Sequence, residues 1–478
     1  MKKIIVFFIY LTMGINILFA QDIESNIKER LTDYFNKYTA TAKISTPKLN
    51  SFDIDYDRKT IAVYASESFA YQPFRSETVE TIYNQVKDLL PGPVHYYQLT
   101  IYADGKPIEN LVPNLYRNKK KDKERMSLDI DYKGVPWVKN ISRPNEVSRG
   151  LQDRHIAVWQ SHGNYFKNDK NEWGWQRPRL FCTTEDLFTQ SFVLPYVIPM
   201  LENAGAVVYT PRERDTQKNE IIVDNDTPNA SLYLEVGSKK AKWDRASVRG
   251  FAQKKTIYQD GENPFADGTC RMISTERKKK KNKDQAFAEW VPTLPATGTY
   301  AVYVSYQTLP NSVSDAKYLV FHNGGVTEFK VNQKIGGGTW VYLGTFEFDK
   351  GNNDYGMVVL SNESKQKGVV CADAVRFGGG MGNIERGGET SGMPRYLEGA
   401  RYSAQWAGMP YSVYGGREGK DDMSDDINVR SRMINYLSGG SIFNPKDKGL
   451  GVPFELSIAL HSDAGASKED KIIGTLGI

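Results

Sequence analysis

At roughly 150 residues per domain, a chain of 478 residues should fold as about three units, which excludes a single small binding module. A hydrophobic fraction of 40% with 12% aromatic residues excludes global disorder. The 62 Lys+Arg against 57 Asp+Glu leave a net charge of only +5, too small for a dedicated nucleic-acid binder, so no nucleic-acid partner is expected. Much of the positive charge sits in NKKKDKER (118–125) and RKKKKNK (277–283), two runs that read as solvated loops.

Residues 1–20, MKKIIVFFIYLTMGINILFA, have a basic head, an apolar stretch and a small exit residue, the pattern of an export signal peptide. No later segment is apolar enough to cross a bilayer, so no transmembrane segment is expected after cleavage. The expected location is the periplasm, the cell surface or the extracellular space. The chain has three cysteines, Cys182, Cys270 and Cys371, so at most one internal bridge can form. Segment membership favours Cys270 with Cys371, while Cys182 reads as a buried thiol.

Residues 21–115 alternate helical and strand patterns and predict a small α+β domain. Residues 116–150, charged and carrying Pro136 and Pro144, predict a linker. From 151, HIAVWQ reads as a core strand, TTEDLFTQSFVLPYVIPMLENAG as a helix closed near Gly205, and AVVYTPRERD as the next strand with its exit loop. Strand, helix, strand opens a mostly parallel α/β sheet. That pattern stops at 221. Residues 222–378 contain no convincing helix, only alternating runs such as YAVYVSY, AKYLVFH and WVYLGTFEF between turn-forming tripeptides, which predicts an all-β sandwich. Helical patterns and the strand PFELSIAL return in 379–478. The simplest reading is one α/β domain, with halves 151–221 and 379–478, interrupted by the sandwich, since insertions are tolerated in surface loops.

His162 and His461 occupy equivalent positions, just past the carboxyl ends of predicted core strands, the edge at which open α/β sheets bind ligands. Glu185 falls in the first turn of the helix after the first of these strands. Two imidazoles and a carboxylate make a catalytic zinc set with one position open for water. Taken singly, each has a plainer reading: a strand-end histidine held by a hydrogen bond, and an acid placed at a helix N-terminus.

With these residues in place, QSHGNY, TTEDLF, VVYTPRERD, NVRSRMIN and ALHSDA resemble, in order and element type, the zinc-dependent N-acetylmuramoyl-L-alanine amidase family. The resemblance implies an α/β amidase domain, Zn2+ held by His162, Glu185 and His461, and hydrolysis of the amide between muramic acid and the stem peptide of peptidoglycan. The family's general acid/base glutamate follows the last histidine on a further strand, and is therefore expected beyond Ile478, with the second half truncated. The interval from His162 to Glu185 is longer than the family's, and WGWQRPRLF is unfamiliar there. Arg212 and Arg214 are candidates to bind a stem-peptide carboxylate, or else surface ion-pair partners of Glu213 and Asp215. The segment 222–378 resembles the golvesin- and xanthan-lyase-type sandwich through EWVPTLPATGTYAVYVSY, GGGTWVYLGTFEF and VVCADAVRFGGG. This implies a carbohydrate-binding or spacer module in which Trp290 and Trp340 either stack on sugar rings or pack in the core. The alternative to the amidase is thus a non-catalytic or lyase-associated secreted glycan-binding protein.

Overall fold

A computed structural model describes residues 23–38, 46–117, 134–148, 150–179, 182–226, 231–238, 240–277, 284–439 and 448–462. The expected signal peptide and nearly all of the two basic runs lie outside them. The described residues form two compact bodies, one within residues 1–130 and one within 131–464. No described helix is long and apolar enough to cross a membrane.

The first body is α+β. Helix α1 (23–37) buries Ile27, Leu31 and Phe35, a spacing of four that puts all three on one face. Strands β1 (Leu49–Asp55) and β2 (Thr60–Ala65) pair antiparallel. Helix α2 (Ser76–Asp88) then crosses to β3 (Gln98–Ala103), which lies parallel to β2. The two-residue turn Asp104-Gly105 has positive φ at both positions, the geometry that lets β3 fold straight back onto β4 (Lys106–Pro107).

The second body joins a small parallel sheet to a large β structure. Strand β5 (Val138–Asn140) comes from the segment expected to be a linker, and corrects that expectation. It is followed by β6 (His155–Gln160), the hairpin β7 (Asn164–Lys167) with β8 (Glu172–Trp175), and a helical stretch. That stretch comprises α3 (Glu185–Phe188), α4 (Gln190–Phe192), a π-turn (Val193–Val197) and α5 (Ile198–Asn203). The expected single helix is interrupted where Pro195, which lacks an N–H, falls in the π-turn. Strand β9 (Val207–Tyr209) follows.

The β structure contains β10 (Ile221–Val223), β11 (Leu232–Val236), β12 (Asp244–Gly250), β13 (Gly268–Ser274), β14 (Phe287–Val291) and β15 (Gly298–Val304). It continues with β16 (Ala316–His322), β17 (Gly325–Val331), β18 (Val341–Phe348), β19 (Met357–Ser361), β20 (Val369–Ala372) and β21 (Val375–Phe377). They build a four-stranded sheet (β10-β21-β15-β18), a six-stranded sheet (β11-β14-β19-β16-β17-β5) and a three-stranded sheet (β12-β13-β20). Every pairing among them is antiparallel. Cys270 and Cys371 are buried neighbours in this core but remain free thiols. After it come α6 (Ala400–Trp406), α7 (Tyr411–Tyr414), α8 (Asp422–Ser438) and β22 (Phe454–Leu460).

The two parts share one core. A single apolar cluster runs from Trp290, Tyr318 and Phe348 in the sheets to Ala404, Met433 and Leu437 on α6 and α8. Trp137, beside β5, is buried in the same cluster, and its indole N–H donates to Tyr306 Oη at 2.7 Å. Removing a large buried aromatic costs about 3 to 5 kcal/mol. Trp137→Ala should therefore lower stability by about that amount in denaturant unfolding of the full chain. A loss under about 1 kcal/mol would show that the segment before β6 is not part of the core.

Candidate metal centre

The centre is built by strand pairing. Strand β6 is buried along its whole length and is central, with β9 on one side and β22 on the other, all parallel. Gln160 pairs with Leu460, and Ser161 N–H donates to Leu460 O at 2.9 Å. The residues that follow therefore leave the sheet at the same edge. His162 leaves β6 there, and His461 leaves β22.

Glu185, the first residue of α3, lies between them. Its Oε1 is 3.0 Å from His461 Nδ1 and accepts the Ser462 N–H at 3.0 Å. Its Oε2 is 3.6 Å from His162 Nδ1 and 3.4 Å from Arg177 Nε. The imidazole centroids are 4.7 Å apart, and one donor atom from each of the three residues lies within 4.8 Å of the others. His162 and Glu185 are buried and His461 is exposed, so the cluster has one open side.

The donor set suits a divalent ion. His162 Nδ1 is buried with no hydrogen-bond partner, an orphan of the kind that costs stability unless something engages it. Burial first, and then the Arg430 cation, hold the His162 imidazole well below its usual pKa, keeping it in the neutral form that binds metals. Two imidazoles and a carboxylate match the ligands of catalytic zinc sites.

Two buried arginines hold the histidine turn. Arg212 donates to four backbone carbonyls: Gln160 O at 2.9 Å, His162 O, Glu398 O at 3.0 Å and Tyr396 O at 3.0 Å. Arg430 Nη1, from α8, donates to Ser161 O at 2.7 Å. A side chain at Gly163 would overlap the Glu398 carbonyl, so the turn passes this point only as glycine.

These contacts correct several expectations. Arg212 is 1% exposed and spends its guanidinium on the turn, which removes it from substrate binding. Arg214 grips Glu202 with both terminal nitrogens, at 2.8 and 3.0 Å, and lies over the Tyr342 ring, so it too is engaged internally. Trp290 is fully buried with its N–H on Asp373 O, and Trp340 is buried against Phe251 and Phe265 with its N–H on Trp406 O. Neither offers a face to a sugar ring. Cys182, expected to be buried, is exposed.

Three residues near the centre escaped the sequence reading. Arg177 leaves the β7–β8 hairpin, and its backbone N–H donates to Asp186 Oδ2 at 3.1 Å, tying the hairpin to α3. Asp186 is fully buried, and burial pushes its carboxyl up to about 6. Glu398, whose carbonyl anchors Arg212, is also fully buried; burial raises its carboxyl to about 7, against a hydrogen bond from Ser391 and the Arg395 cation. The unfamiliar tract between His162 and Glu185 was the available signal for Arg177. Nothing local marks Glu398.

The comparisons with known proteins bear on the β structure. Residues 268–379 match the Golvesin C-terminal domain family, so the inserted sheets carry a golvesin-type domain. A 90-residue stretch is 37% identical to a xanthan lyase of Bacillus sp. (strain GL1), covering 18% of this chain and 10% of that protein. The solved structure of Paenibacillus xanthan lyase matches at 25% identity with a TM-score of 0.23, over 34% of this chain and 13% of that one. The chain thus corresponds to about a tenth of the length of the curated relative it matches.

Glu398 yields a pH test. Folding raises this acid's pKa, so between the two values the folded protein keeps a proton that the unfolded chain has released. Its contribution to stability is full at low pH and is lost as pH rises from the ordinary 4.5 to about 7. Glu398→Gln should flatten that fall and be more stable than the parent at pH 8 by about 1 to 3 kcal/mol. An unchanged pH profile of denaturant stability would show that Glu398 ionises freely in the folded state.

Proposed function

We propose that the chain is an exported metal-dependent hydrolase acting on peptidoglycan, cleaving the amide between N-acetylmuramic acid and L-alanine. The observation that carries this reading is the convergence of His162, Glu185 and His461 at the carboxyl edge of a parallel sheet, with donor atoms within 4.8 Å. These residues would hold Zn2+. When bound, the ion supplies Lewis acidity toward a carbonyl oxygen and lowers the pKa of water toward neutrality. The chain's own residues do the positioning. Arg212 and Arg430 fix the turn that presents His162, while the Ser462 N–H and Arg177 orient the two Glu185 oxygens. Partners of this kind commonly change metal affinity about 10- to 100-fold when removed.

A second reading is favoured by the match over 268–379 and by the stretch shared with a xanthan lyase. In it the chain is a secreted glycan-associated protein whose golvesin-type domain sets its role, and the triad is only structural. A domain name is weak evidence for chemistry, and burial of Trp290 and Trp340 leaves glycan contact to other residues.

Metal analysis separates the two. The purified full chain should hold one zinc per molecule, and His162→Ala and His461→Ala should each weaken retention at least about tenfold. The zinc-loaded parent should bind a soluble muramoyl peptide more tightly than the zinc-stripped parent, read by calorimetry, and neither variant should show that gain. Absence of stoichiometric zinc, or its retention in both variants, would overturn the hydrolase reading. Retention of His162→Ala on a glycan column would favour the second reading, and failure of parent and variant to bind any glycan would count against it.

A further inference from the structure

Beside the triad, the β7–β8 hairpin and the approach to α3 enclose a groove of about 760 Å3, within the usual range of small-ligand sites. Its cations are Lys167, Arg177 and Arg179. Lys167 Nζ stands 3.5 Å from Glu172, and Arg177 Nε stands 3.4 Å from Glu185 Oε2. Exposed Arg179 donates to Cys182 O at 3.2 Å. With two of its three cations paired, the groove does not select a charged ligand, and its neutral groups define its chemistry.

Three of those neutral polar atoms lack partners. Thr184 lines the groove and is 6% exposed. It stands where a threonine hydroxyl ordinarily caps a helix, yet its Oγ1 makes no hydrogen bond. Gln176 lines the same groove, and both ends of its side-chain amide, Oε1 and Nε2, are buried and unpartnered. Buried groups in that state cost stability unless something engages them. Together they offer an acceptor, a donor and a hydroxyl that can serve as either. Trp175 adds a flat apolar face. Trp173, on the same strand, packs on Phe166 and Tyr402, whereas Trp175 lines the groove half-buried and makes no ring contact among the described residues.

We propose that this groove seats an uncharged N-acetylated sugar ring, with Trp175 against the C–H face of the ring and Gln176 and Thr184 on its polar substituents. A sugar ring is apolar on its faces and carries hydroxyls at its rim, so it is matched by an aromatic plane with unpartnered neutral groups beside it. The acetamido group follows from Gln176 and Leu187. Its carbonyl accepts from Gln176 Nε2, its methyl meets Leu187, which lines the groove and is exposed, and a ring hydroxyl donates to Gln176 Oε1. The inference rests on the glycan association that both functional readings share, and not on hydrolysis. Arg177 lines the groove and reaches Glu185, so a ring seated there stands beside the triad. Glycan contact thereby moves from the buried Trp290 and Trp340 to the hairpin, and the tract WGWQRPR gains a role.

The test is binding, so that it does not depend on turnover. The full chain, stripped of metal by a chelator, is titrated calorimetrically with tetra-N-acetylchitotetraose. Cellotetraose, of the same length without acetamido groups, and a free stem peptide are the controls. The parent should bind the acetylated saccharide at least about fivefold more tightly than cellotetraose, the effect of one hydrogen bond, and should not bind the peptide. Trp175→Ala should weaken that binding at least about tenfold, and Trp175→Phe, which keeps an aromatic face, should restore most of it. Gln176→Met should weaken binding about three- to tenfold while leaving the melting temperature unchanged or raised, because it removes a buried amide that has no partner. A merely structural glutamine would lower the melting temperature when replaced. No binding of the acetylated saccharide, equal affinity for cellotetraose, or binding that Trp175→Ala and Gln176→Met both leave unchanged would overturn the proposal. So would binding of the stem peptide in place of the saccharide. Saccharide binding by a chain that purifies without stoichiometric zinc would remove the hydrolase reading and leave the groove standing. Stoichiometric zinc without saccharide binding would do the reverse.

Discussion

Parallel pairing of β6 with β22 is the constraint from which the centre follows. The strands are some 300 residues apart in sequence, yet Gln160 and Leu460 are register partners. Since side chains alternate along a strand, a slip of one residue would turn each partner to the opposite face and carry His461 away from Glu185. The register is specified because β6 is buried along its length and has parallel partners on both sides. Parallel strands need a long crossover, and here the chain between them includes the whole golvesin-type domain. That domain is therefore part of what closes the site. Its sheets share an apolar cluster with α6 and α8, and α8 supplies Arg430 to the histidine turn.

Buried arginines do much of the joining. Arg376 is held by Glu213 at 2.8 Å, Arg395 by Glu220 at 2.6 Å and Arg401 by Asp260 at 2.7 Å. Burying such charges is costly unless each is paired and hydrogen-bonded, so these pairs act as geometric fixings more than as sources of stability. Arg212 differs, because its contacts are backbone carbonyls. It meets the acceptors of a turn and a loop that no regular ladder satisfies, and in doing so fixes the path on either side of His162.

Much of this was legible in the sequence. The apolar strands HIAVWQ and FELSIAL, the acid at the start of a helix and the two strand-end histidines carried the triad, because strand ends and helix starts are local signals. Tertiary surroundings were not legible. Arg212 and Arg214 look like surface cations in a charged string, and only the fold shows one facing carbonyls and the other facing Glu202. Trp290 and Trp340 read equally well as platforms or core. Residues 138–140 carry too short a pattern to mark a strand, and they become one by pairing with β17. The sandwich was visible as a class, but β12, rich in charge and largely exposed, was not.

The family match spans residues 268–379 and does not include the triad, so the proposed chemistry rests on the geometry of His162, Glu185 and His461. The most direct measurement is X-ray absorption at the zinc edge of the purified full chain. Two imidazole nitrogens and one carboxylate oxygen at about 2.0 to 2.2 Å, with both imidazole signals absent from the double variant His162→Ala, His461→Ala, is the expected result. Sulfur scattering near about 2.3 Å, or a spectrum unchanged in that variant, would contradict a metal centre at this edge of the sheet.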